Sequence, residues 1–258
     1  MDEIAAASVA KEGAVSYDEA YCEQLRERRA WILERVARAA QAAGRDPGEV
    51  TVMAVSKTVD VDAVAAARAA GWSCFGENRP QELERKLGLL AGDPAFAGVS
   101  WHMIGNLQTN KINHVLACSP TLVHSIASPE LARAVSQRAQ ARGVVQPVLL
   151  EVNVSGEQSK SGMTVDVARE RFDELAALPG IEVRGFMTMA PRSEPDVARR
   201  TFSGLRALRD DVCATCENGV RPSELSMGMS EDFEEAVLQG ATIIRLGRIA
   251  FDPAFPVD

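Results

Sequence analysis

The chain has 258 residues, 46% of them hydrophobic and 25% charged, the balance of an ordinary soluble globular protein. Its net charge of -8 comes without a long basic run, which argues against a nucleic-acid surface, and no stretch reaches the roughly 18 apolar residues of a membrane helix. The amino terminus lacks the basic-then-apolar order of a secretion signal, and five scattered cysteines do not read as a disulfide framework, so the expected compartment is the cytoplasm.

Residues 1–16 are small and polar enough to be a frayed tail, leaving 17–258 as one folded unit. Residues 17–43 read as an amphipathic helix with Tyr21, Leu25, Ile32, Val36 and Ala39–Ala40 on one stripe, ended by Gly44 and a turn at Asp46-Pro47-Gly48. Short apolar runs follow near 50–56, 72–75, 100–104, 121–125, 147–153, 181–187, 223–227 and 242–246. Helical patterns separate them near 60–70, 79–91, 109–117, 129–142, 164–178, 195–215 and 230–239. Strands alternating with helices imply a parallel sheet with right-handed crossovers, and eight units favour a closed (β/α)8 TIM-type barrel over an open doubly wound sheet. Too little chain follows strand eight for another covering helix, so the extra helix before strand one is expected to fill that place. Cys213 and Cys216 form a C-x-x-C pair at a predicted helix end, with no second pair to complete a zinc site.

In such barrels the chemistry sits at the carboxyl ends of the strands. Strand one ends Ser56-Lys57-Thr58, in a chain that uses lysine only 5 times among its 28 basic residues. A lysine at the inner end of a buried strand is costly to desolvate as an ammonium, which favours a neutral amine able to attack an aldehyde. A side chain snorkelling to the rim fits the same position. Strand two ends Gly76-Glu77-Asn78, where the polar pair would meet a ligand or cap a helix. His102, on strand three, alternates with Met103 and could face the barrel or the helices; Asn106, Gln108, Asn110 and Lys111 form a polar cluster beyond it. Strand five runs into a polar loop, residues 153–162, suited to a ligand rim or a loose connection. The methionines of strand six, Met187 and Met189, read as barrel filling. Strands seven and eight end Ser226-Met227-Gly228-Met229-Ser230 and Arg245-Leu246-Gly247-Arg248. Glycine-freed N–H groups, hydroxyls and a helix start there suit a phosphate, a recurrent use of these two loops. Ser230 fits ordinary helix capping equally well.

The segments AVSKT, FGENRPQE, WHMIGNLQTNK, HSIASPELA, VNVSGEQSKSG, FMTMAP, LSMGMSEDFEEAV and IRLGRIAF together resemble the pyridoxal phosphate homeostasis protein family. That family comprises the barrel-only relatives of the alanine racemase-like PLP fold, and the resemblance spans about residues 20–250. It implies pyridoxal 5′-phosphate (PLP) as cofactor, held as a Schiff base on Lys57. By the same resemblance Ser226, Met227, Gly247 and Arg248 would lie at the phosphate, Ser226 giving its hydroxyl and the others chiefly backbone N–H. Arg245 would face the pyridine nitrogen and Asn78 would approach from strand two, with His102 and Lys160 as further neighbours. Family members commonly carry glycine after the final IF-type pair, whereas this chain reads Ala250-Phe251-Asp252-Pro253.

The function expected from the resemblance is a carrier or buffer of PLP in vitamin B6 homeostasis, a monomer whose partners are PLP and PLP-dependent apoenzymes. The alternative is an amino-acid racemase. Related racemases add a carboxy-terminal β-domain, for which there is no room after strand eight, and no convincing second base is found besides His102. A third class, a phosphorylated-sugar isomerase or aldolase, would need a carboxylate base such as Glu77 or Glu157.

Overall fold

A computed structural model describes residues 17–157, 160–191 and 194–257. The tail expected at 1–16 lies outside them. The eight apolar runs become strands β1 (Thr51–Val55), β2 (Cys74–Glu77), β3 (Ser100–Met103), β4 (Leu122–Ile126), β5 (Gln146–Glu151), β6 (Ile181–Met187), β7 (Glu224–Ser226) and β8 (Ile243–Leu246). Each pairs in parallel with the next, and β8 closes on β1 through Thr51 opposite Ile243 and Met53 opposite Arg245, giving the expected closed barrel.

The helices are α1 (Glu19–Ala42), α2 (Val61–Ala69), α3 (Pro80–Leu89), α4 (Ile112–Ala117), α5 (Pro129–Ala141), α6 (Val165–Glu170), α7 (Phe172–Ala176), α8 (Pro195–Thr215), α9 (Phe233–Leu238) and α10 (Arg248–Phe251). Asp18 caps α1 by accepting from the Ala20 N–H, and the helix buries Leu25, Ile32, Val36 and Ala40 as its spacing predicts. It packs on α2, α9 and α10, the neighbours of the β8–β1 seam, and so takes the place of a covering helix after strand eight. Some boundaries differ from expectation: the strand read near 72–75 is Cys74–Glu77, and the helix read near 230–239 is Phe233–Leu238. The helix predicted over 164–178 breaks at Arg171, whose φ of -100° and ψ of 0° leave the helical region. After β8 the chain forms only the four-residue α10, which buries Ile249, Ala250 and Phe251.

Successive side chains of a strand face opposite sides, so each strand supplies both layers. Outward residues such as Trp101, Met103, Phe75 and Phe186 join the helices in one continuous core. A separate inner cluster of Met53, Val55, Cys74, Leu122, Leu149, Met187 and Ile243 fills the barrel. Met187 is therefore barrel filling, as expected, whereas Met189 is exposed. No described helix is long and apolar enough to cross a membrane.

Candidate functional site

The inner face turns polar toward the carboxyl ends of the strands. His124 follows Leu122 by two residues on β4, Glu151 follows Leu149 on β5, and Arg245 follows Ile243 on β8, so all three face the barrel interior above its apolar floor. All are buried, together with His102 and Ser226. Arg245, Ser226, His124 and His102 form one hydrogen-bonded chain, whereas Glu151 accepts from the Ser161 hydroxyl. Arg245 donates to Ser226 Oγ at 2.6 Å and to the Thr188 carbonyl at 2.9 Å. Ser226 Oγ lies 2.9 Å from His124 Nδ1, and His124 Nε2 lies 2.9 Å from His102 Nδ1.

Burial sets the charges of this chain. It pushes His102 down to about 4, with Arg184 adding to the effect. It holds His124 well below the usual imidazole range, helped by His102 and Arg245, so both rings are neutral at neutral pH. Arg245 is pushed down to about 10 by burial, partly offset by Asp232 and Glu151, and stays charged. The carboxyls of Glu151 and Asp232 are both raised by burial.

Lys57 lies two residues beyond the end of β1 and is exposed. The expected burial of its amine is therefore not found, because the strand ends before it and the chain turns outward at Ser56. The buried neighbour is Ser56 itself, whose hydroxyl donates to Glu77 Oε1 at 2.7 Å. Glu77 in turn meets Lys86 Nζ at 2.5 Å. On the next strand Asn78 is half-buried, and the chain after β3 nests against it: a Cβ on Gly105 would stand 2.0 Å from the Asn78 carbonyl oxygen.

On the other side of β1, the loops after β7 and β8 meet. Ser230 Oγ accepts from the Ile249 N–H at 3.3 Å, and Arg248 pairs with Glu231. Gly228 has φ +92°, and a Cβ there would strike Ala236 at 2.5 Å, so glycine is required by the loop's close approach to α9. Gly247 differs. Its φ is -102°, and a Cβ would meet only Val55, at 3.7 Å or more. The protein's own packing leaves open space over this backbone, as an anion cradle requires.

Two expected phosphate donors are engaged elsewhere. The Ser226 hydroxyl is buried between Arg245 and His124, and the Met227 N–H donates to the Ile243 carbonyl at 3.1 Å. Strand pairing and inward orientation account for both, and Ser230 is the hydroxyl that faces the β8 loop. Asn106, Gln108 and Asn110 are exposed at the rim, and Lys160 is half-buried. In the loop after β5, Asn153 Nδ2 donates to the Glu157 and Lys160 carbonyls, while Gln158 and Ser159 lie outside the described residues. Cys213 and Cys216 are free, half-buried thiols at the end of α8, away from the carboxyl ends of the strands. His124, Glu151 and Lys86 were not anticipated. Strand alternation could have found the first two, since each follows an inward apolar residue by two.

The sequence profile of "Alanine racemase, N-terminal domain" matches residues 29–252. The pyridoxal phosphate homeostasis protein of Aquifex aeolicus is 38% identical over 226 residues, covering 87% of this chain and 96% of its own length. The chain belongs to the pyridoxal phosphate homeostasis protein family. Among solved structures, an unknown protein from Bifidobacterium adolescentis superposes with a TM-score of 0.85 at 41% identity, covering 91% of this chain and 97% of that one. PipY of Synechococcus elongatus, solved with PLP bound, gives a TM-score of 0.73 at 32% identity, covering 85% and 99%. The family assignment agrees with the eight motifs, which lie at the strand ends of this barrel.

Proposed function

We propose that this chain binds PLP at the carboxyl-terminal mouth of the barrel through Lys57 and acts as a carrier or buffer in vitamin B6 homeostasis. The observation that supports the reading is the parallel pairing of β1 with β8, Met53 opposite Arg245 and Ala54 opposite Leu246, which makes the end of β1, just before exposed Lys57, a neighbour of the strand end that leads into Gly247 and Arg248. PLP supplies an aldehyde, which a primary amine captures as a Schiff base with loss of one water. The other roles belong to the protein. Gly247 and Arg248 offer backbone N–H groups to a phosphate, and Ser230 offers the hydroxyl. Ser226 acts one step back, by aiming Arg245. Arg245 does not give up its own proton, so a pyridine nitrogen facing it stays unprotonated and the ring withdraws electrons weakly. Asn78 flanks the mouth from β2.

Several features favour a carrier over a racemase. Two-base chemistry needs an acid or base on each face of the substrate. His102, the candidate for the second face, lies inside the barrel with Nδ1 held by His124. Glu77, one of the carboxylates an isomerase reading would use, is buried and paired with Lys86. In this reading the protein works as a cytoplasmic monomer that hands PLP to PLP-dependent apoenzymes.

The visible spectrum with added PLP, beside that of Lys57→Ala, tests the proposal. An imine band in the parent that is absent from the variant is the expected result. No band in either would return the isomerase reading to the front. Racemisation of amino acids by the loaded parent would favour the racemase.

A further inference from the structure

Lysine is scarce in this chain, yet Lys86 on α3 is 1% exposed and Glu77, its partner at 2.5 Å, is fully buried. A buried ion pair of this kind adds little to stability, because the desolvation of two charges offsets their attraction and an apolar pair of similar volume does as well or better. The pair is therefore better understood by what it holds. Both partners converge on Ser56: Lys86 Nζ donates to the Ser56 carbonyl at 2.7 Å, and Glu77 Oε1 accepts from the Ser56 hydroxyl at 2.7 Å. The Ser56 N–H donates to the Gly76 carbonyl at 3.0 Å, and the Val59 N–H donates to the Ser56 carbonyl at 3.1 Å. Every polar group of Ser56 is thus tied down, one residue before Lys57. The lysine itself is exposed.

We propose that Lys86 and Glu77 are positioning residues for Lys57, a buried clamp that fixes the last peptide of the strand so that a flexible amine is presented at one place over the mouth. The clamp rests on the reading of Lys57 as the aldehyde-binding lysine. It separates two properties that a lysine in a core would otherwise set against each other. Lys57 stays exposed at the mouth, while the charge that fixes the peptide before it is carried by a second lysine sealed beneath. An ammonium suits that task because its compact head reaches the Ser56 carbonyl and the Glu77 carboxylate together, where a planar guanidinium would need more room.

The test compares the parent with a Lys86→Met/Glu77→Leu double variant, which removes both charges and leaves none unpaired. Ser56→Ala serves as a second variant that cuts only the hydroxyl link. Three readouts are taken: thermal melting, hydrogen exchange of the Val59 amide without PLP, and PLP affinity with borohydride trapping and peptide mapping of the labelled lysine. The expected result is an unchanged or higher melting temperature, faster Val59 exchange and PLP affinity about tenfold weaker, the scale of a misplaced reacting group. Ser56→Ala should fall between the parent and the double variant. Unchanged affinity and exchange in both variants, with Lys57 still labelled, would overturn the clamp alone. Failure to label Lys57 in the parent would overturn the reading on which it rests.

Discussion

Arg245 can only donate hydrogen bonds, so Ser226 Oγ accepts from it. Beyond the serine the contacts run to His124 Nδ1 and from His124 Nε2 to His102 Nδ1, with the tautomers of the two rings setting which atom donates. Two neutral imidazoles in a barrel have a stability signature. Unfolded histidine titrates at about 6.5, whereas His102 in the fold titrates at about 4. Between these values the unfolded chain gains a proton that the folded one does not, so stability is lost as pH falls through that window. For His102 the shift corresponds to about 3 kcal/mol in all. The raised carboxyls of Glu151 and Asp232 act in the opposite sense, favouring the fold as pH falls. The difference between the parent and His102→Asn therefore isolates the ring. In urea melts at stepped pH, the variant should lose less stability than the parent between neutrality and acid; parallel curves would contradict the assignment. Gly105→Ala makes a second prediction at this scale. Its Cβ would meet backbone rather than a flexible side chain, 2.0 Å from the Asn78 carbonyl oxygen, so relief requires strand ends to part. A loss of about 1–3 kcal/mol is expected, with weaker PLP binding because Asn78 moves too.

At the scale of elements, α1 is the piece that makes the barrel watertight. Ile32 is fully buried at its centre, and Arg45 just beyond it donates to the Val237 and Ala241 carbonyls around the end of α9. Ile32→Ala should lower the urea unfolding free energy by about 2–5 kcal/mol while leaving bound PLP spectrally unchanged, because the cavity opens on the outer layer. The same helix was plain in the sequence, since its apolar stripe keeps a 3.6-residue period over six turns. Strands were equally legible as short runs buried on both faces. What escaped were the ends and the small pieces. Periodicity does not sense the break at Arg171, and α10 spans four residues, too few to show a period. The site divides in the same way. Lys57, Arg245 and Gly247 were candidates because each sits at or just beyond a strand end of known sense. The links among them could not be read, because His124 and Ser226 are 102 positions apart and meet only once the barrel has closed. The family motifs do not say which way each side chain turns: the Ser226 hydroxyl, expected at a phosphate, is held between Arg245 and His124.

At the scale of the whole molecule, the first and last strands are neighbours, with Thr51 opposite Ile243 and Ala54 opposite Leu246. Contacts between such distant parts of a chain form late, since the intervening loop must be ordered before they reward it. Pulse-labelled hydrogen exchange during refolding should find amides of the β8–β1 seam among the last to be protected; protection there before β4–β5 would argue for a different order. A chain emerging from the ribosome meets the same constraint. Its first strand is made early and waits for its second neighbour until almost every other strand has appeared. During that interval β1 carries an open edge of unpaired amides and carbonyls, the kind of edge that recruits strands from other molecules. The finished barrel has nothing of the sort to offer. The hazard of aggregation therefore falls on the nascent protein rather than the mature one, and slow or stalled synthesis should harm its yield more than heat harms its fold.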